Sequence, residues 1–225
     1  MNRRTRISGA LILGAMLVLA GCTNNLFSSF DEPDAGPSAS DLRNQYQSAT
    51  GTTRVQLAAQ AGTARITEND DALQTVNNFG GVIETLIDAA DNGTEPDPES
   101  IIASLFPSNL SEADAQALVT SFKEASTDFS DFAQNVNSVD DPLNSGEKGD
   151  VVQMALISLA VNEIVQAGTG QTPTYETQLV ELIAGTRSAD DLDFSATSTN
   201  PFEDLGNAGG DLGELITYAG LGETF

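Results

Sequence analysis

Apolar residues recur along this chain at helical spacing, most regularly at Ala115, Leu118, Phe122, Ala125, Phe129, Phe132 and Val136. The alternating steps of three and four draw one apolar seam along six helical turns, with Glu112, Lys123, Glu124, Asp128 and Asp131 off the seam. Ser111 stands before it with Asp114 three residues on, a close variant of the capping box that opens helices. Other stretches show the same period. Asp41 to Ser48 predicts a short helix, and Thr53 to Ile66 a second built on Val55, Leu57, Ala58, Ala61 and Ala64. A third starts at Asn69 or Asp70 and carries Leu73, Val76, Phe79 or Gly80, Ile83, Ile87 and Ala90. Gly80-Gly81 in its middle predicts a bend or a close helix contact.

Val151 to Val165 differs in being apolar on nearly every side, so it needs neighbours all round and belongs at the centre of the fold. Asn162 and Glu163 near its end are either at a wet edge or buried and paired. Short helices are expected at Pro98 to Leu105, with proline in its first position, from Thr172-Pro173 to Gly185, from Asn200-Pro201, and at Asp211 to Ala219. Asp91 to Glu99, Ser138 to Asp150 and Ser188 to Asn200 are polar and read as loops. No convincing alternating strand lies between these marks. The expected fold is all-α: a single helical bundle, or an irregular helical array, around a central apolar helix at about 151–166. No repeat of fixed period emerges, and the tetratricopeptide pattern is absent.

The first 40 residues follow other rules. Arg3, Arg4 and Arg6 precede fourteen mostly apolar residues, Ile7 to Ala20. A spanning helix needs about 20 residues, so this stretch has the layout of a secretory signal. It ends in Leu19-Ala20-Gly21-Cys22, and Cys22 is the only cysteine of the 225 residues. This ending resembles the lipobox of bacterial lipoproteins, a resemblance confined to residues 1–22. It implies that residues 1–21 are a removed signal peptide whose cleavage is directed by Leu19, Ala20 and Gly21. Cys22 then carries acyl chains that hold the protein to a membrane. Two or three chains suffice for stable anchoring, at about 0.8 kcal/mol per buried methylene. Thr23, where an aspartate would retain such proteins in the inner membrane, goes by the same resemblance with transfer to the outer membrane. Residues 22–40, rich in Asn, Ser, Asp, Pro and Gly, read as a lipidated flexible tether spanning roughly 20–25 Å. Within it, Leu26, Phe27 and Phe30 are suited to docking on the body or resting among headgroups. The helical domain is expected over 41–225.

Charge narrows the functional classes. All 33 acidic residues follow Cys22 and are met there by six basic ones, hence a net charge of −27. Nucleic acid and anionic lipid surfaces are disfavoured as partners; cations and basic proteins are favoured, and a saline habitat explains the charge equally well. With no histidine and with the cysteine engaged by lipid, imidazole bases, Ser-His-Asp and Cys-His catalysis and Cys/His zinc sites are excluded. The acidic loops Asp88 to Glu99 and Asp140 to Asp150 miss the EF-hand spacing and leave room only for weak divalent-cation binding. Gly146-Glu147-Lys148-Gly149 lacks phosphate-loop spacing. Phe122, Phe129 and Phe132 are the candidate ligand or partner face, although so regular a stripe is more often core. No cofactor is expected. The leading expectation is a non-enzymatic, lipid-anchored accessory or interaction protein of an envelope complex, on the periplasmic side of the outer membrane. The alternative is a periplasmic protein that holds a small or apolar ligand between helices.

Overall fold

The computed structural model describes residues 37–91, 103–144, 146–167, 173–188, 191 and 210–219, and among these it is helical with no strand. The elements are α1 (Ala39–Ser48), α2 (Gly51–Thr67), α3 (Asp70–Asp91), α4 (Glu112–Val136), α5 (Lys148–Ala167), α6 (Tyr175–Ile183) and α7 (Gly210–Tyr218). Residues 103–105 are also helical, the only described part of the helix expected at Pro98 to Leu105. The expected helix start at Asn200-Pro201 lies outside the described residues, as do residues 1–36 with Leu19, Ala20, Gly21 and Cys22.

The first described helix starts two residues before 41, where the helical domain is expected to begin. Ser38 caps α1: its hydroxyl accepts from the Asp41 amide, and the Asp41 carboxylate accepts from the Ser38 amide in return. That reciprocal pair draws Ala39 and Ser40 into the helix. Two residues separate α1 from α2, and Gly51 takes φ +58°, a left-handed conformation that reverses the chain at little steric cost. The two helices run antiparallel, since the Ala39 amide at the start of α1 donates to Glu68 just past the end of α2.

The helix α4 starts as its sequence predicts, with Ser111 Oγ accepting from the Asp114 amide. Every residue of its seam is buried. It packs on α2, α3, α5, α6 and α7, and its most extensive contacts are with α2. Those contacts are close because Gly62 of α2 lets the Phe129 ring lie almost against the backbone. The apolar helix α5 is central as expected: it touches α2, α3, α4, α6 and α7 and buries residues all round its girth. It shares that place with α4. Asn162 and Glu163 lie at the wet edge, half-buried and exposed. α5 also begins earlier than expected, with Lys148, Gly149 and Asp150 forming its first turn rather than the end of a loop. Gly185, at φ +72°, follows α6 where the sequence places its end.

At Gly80-Gly81 the close contact can be judged for Gly81 alone. α3 runs through both glycines, and a methyl added at Gly81 would meet open space. Close approach is therefore not what Gly81 provides.

Candidate functional site

The candidate partner face is closed. Phe122, Phe129 and Phe132 are all 0 % exposed. Phe122 meets Phe106 edge-on with ring centres 6.3 Å apart, Phe132 meets Tyr218 edge-on at 5.7 Å, and Phe129 fills the space left by Gly62. Burying each ring contributes about 1.5–3 kcal/mol to folding, and none is available to a partner while α4 keeps its neighbours. The seam is core.

The chemistry lies instead beside the seam, where Asp128 is 0 % exposed. A lone buried carboxylate would be strongly disfavoured, so the fold surrounds it with donors. From α1, Arg43 Nε donates to Asp128 Oδ1 at 2.6 Å and the Tyr46 hydroxyl donates to the same oxygen at 2.8 Å. Arg43 and Tyr46 are three residues apart, so one helical face delivers both. Arg43 also donates through Nη2 to the Glu124 carbonyl at 2.8 Å. From α2, Arg65 pairs with Glu124 Oε2 at 2.8 Å and donates to Ser40 Oγ at 3.2 Å. Its Nε stops 4.0 Å from Asp128 Oδ2, and neither of those two buried atoms has a hydrogen-bond partner. The hydrogen bond from Arg43 to Asp128 holds the guanidinium above its usual range. Burial, with the hydrogen bond to Asp128 second, pushes the Tyr46 phenol up to about 12. The phenol is therefore a fixed donor, and the cluster is a clasp joining α1, α2 and α4.

The remaining cations are engaged in the same manner. Arg54 forks onto Asp131, with Nε 3.0 Å from Oδ2 and Nη2 bound to Oδ1. Lys123 joins Glu176 of α6 at 2.8 Å, and Arg187 pairs with Glu181 at 2.7 Å. Lys148 sits 3.8 Å above the Tyr218 ring and 3.5 Å from Asp141 Oδ2. Tyr218 donates its hydroxyl to Asp141 Oδ1, which holds that carboxyl below its ordinary range and, together with burial, pushes the phenol up. All six basic residues that follow Cys22 are thus matched with acids of the same chain. The remaining acids are left without cations to balance them.

Among the described residues no group of three or more acidic or sulfur ligands is gathered for a metal ion. In the acidic stretch Asp140 to Asp150, Asp141 is bound by Tyr218 and Lys148, while burial raises Asp150 to about 6. The stretch Asp88 to Glu99 reaches into undescribed residues. Among the described residues no helix is long and apolar enough to cross a membrane.

The clasp is not visible in the seam pattern. Asp128 reads as one more acid off the seam, and it is the arrival of side chains from α1 and α2 that surrounds it. The available signal was Arg43 and Tyr46 at i, i+3 in a chain with few cations. What the fold and site define is an all-α array of capped helices fastened by internal ion pairs. Comparison with known protein families, characterised proteins and solved structures returned no match.

Proposed function

We propose that this chain is a lipid-anchored, non-enzymatic accessory or interaction protein of the bacterial cell envelope, held at the outer membrane through Cys22 and facing the periplasm. The observation that carries the reading is the sequence Leu19-Ala20-Gly21-Cys22 behind a basic and apolar leader, joined by a polar tether to an all-α body. The charge distribution supports an interaction role and specifies its chemistry. Because the six cations of the body pair internally, a partner that recognises this surface by charge is basic, and its binding weakens with salt. The alternative, a ligand held between helices, has less support, since Phe122, Phe129 and Phe132 are packed against neighbouring side chains.

Two experiments test the proposal. Fractionation of cells expressing Cys22→Ser should move the protein from the acylated membrane fraction to an unprocessed or soluble one. Persistence of acylation in that variant refutes the anchor. Cross-linking of the acylated protein in intact envelopes, followed by mass spectrometry, should recover a basic protein in fixed ratio. Recovery of no stoichiometric partner refutes the accessory role.

A further inference from the structure

The helix α1 is the first described helix of the chain, and it is attached to its neighbours along its length. Near its start the Ala39 amide donates to Glu68 in a half-buried bond, and Ser40 Oγ accepts from Arg65 in an exposed one. Farther along, Arg43 and Tyr46 converge on one oxygen, Asp128 Oδ1, the first bond half-buried and the second buried. Because α1 runs antiparallel to α2 across a two-residue link, a pull at Ser38 acts first on the start of α1 and reaches the clasp afterwards. α1 is the first of the described helices, so the chain that links the other described helices to one another does not pass through it.

The clasp also contains a feature that the closed state does not explain. Asp128 Oδ2 and Arg65 Nε are buried, unpartnered and 4.0 Å apart. Orphaned buried polar atoms are rare and disfavoured. Closing that gap by about 1 Å would make a charge-assisted hydrogen bond within α2 and α4 alone. Arg65 is therefore a second cation for Asp128, placed on an element that stays behind when α1 goes.

We propose that α1 is a releasable strap: Asp128 holds it through Arg43 and Tyr46, and on release the carboxylate is taken over by Arg65. Release frees Ala39 to Thr50, adding up to about 40 Å of chain between anchor and body while α2 to α7 stay folded. The role of that added reach rests on the tethered reading above; the strap itself does not.

The test is native-state hydrogen exchange of the detergent-solubilised full chain, read by mass spectrometry, on the wild type and on Tyr46→Phe. The phenylalanine keeps the ring and removes the donor to Asp128. In the wild type, the amides of Leu42 to Ser48 should exchange together and at least tenfold faster than those of Phe122 to Phe132. In Tyr46→Phe they should exchange about tenfold faster again, with α4 and α5 unchanged, and trypsin should cut first after Arg43. Exchange of α1 at the rate of α4 in the wild type overturns the proposal, because α1 would then open only when the whole domain unfolds. Equal acceleration of α1, α4 and α5 in the variant overturns it as well. Neither result bears on acylation, which the Cys22→Ser fractionation reads separately.

Discussion

A single methyl group tests the packing of α2 on α4, because two effects of opposite sign meet at Gly62. In a helix interior, alanine is favoured over glycine by about 1 kcal/mol. A Cβ at Gly62, however, would stand 2.7 Å from Phe129 Cε1 and 2.8 Å from both Cδ1 and Cζ. Ordinary contact begins near 3.4 Å, so one whole edge of the ring must retreat by about 0.6–0.7 Å. Rotation cannot relieve three contiguous atoms at once, and the ring is fully buried in an interior of the kind that is closely packed. Overpacking of this kind costs about 1–3 kcal/mol, which equals or exceeds the helical gain. Gly62→Ala should therefore be destabilising by up to about 2 kcal/mol. Gly81 supplies the control, because it also lies within a helix but has nothing within 4 Å of an added Cβ. Gly81→Ala should be stabilising by about 1 kcal/mol. Urea unfolding followed by circular dichroism reads both, and each kcal/mol moves the melting temperature by about 2–4 °C in a domain of this size. The double variant Gly62→Ala/Phe129→Leu should be more stable than the sum of its parts by at least about 1 kcal/mol. If Gly62→Ala stabilises as much as Gly81→Ala, the close packing of Phe129 on α2 is wrong.

The other expectations concern charge. With six basic residues against 33 acids in the part after Cys22, self-repulsion should outweigh the ion pairs, so the melting temperature should rise as NaCl goes from about 10 mM to 0.5 M; a fall would mean that the internal pairs dominate. Burial raises Asp150 to about 6 from 3.8, so the folded state holds its proton more tightly than the unfolded state, and stability should decline as pH rises through that interval. Asp150→Asn should flatten this part of the pH–stability curve, and an unchanged slope would exclude Asp150 as its source. Tyr218 holds the Asp141 carboxyl below its usual range, so its contribution is present above pH 3.8 and is lost as pH falls through the lowered value. Tyr218→Phe should remove that acid-side loss while keeping the ring against Phe132 and Lys148, as acid titration of the melting temperature would show.

The elements and their faces were legible in the sequence because they depend on local facts. The three-four spacing from Ala115 to Val136, the Ser111 cap and the Gly185 stop all act within a few residues, and each appears where the pattern places it. The all-round apolar character of Val151 to Val165 likewise required a central position whatever the neighbours were. The boundary at Ala39 was harder to see, since a capping box drew two residues of tether-like composition into α1.

Pairing across long sequence separations was not legible. Nothing near Asp128 distinguishes it from Glu124 or Asp131; what sets it apart is that Arg43 and Tyr46 bond to it from 85 and 82 residues away. The same holds for Gly62, whose missing side chain matters only because Phe129 lies against it. The three phenylalanines needed the same information, because a stripe that faces a partner and one that faces the chain's own helices have the same spacing. Spacing along a helix follows from the 3.6-residue turn and can be read from one segment. Which carboxylate meets which arginine, and which ring meets which glycine, depends on how separate helices come together, and no single segment carries it.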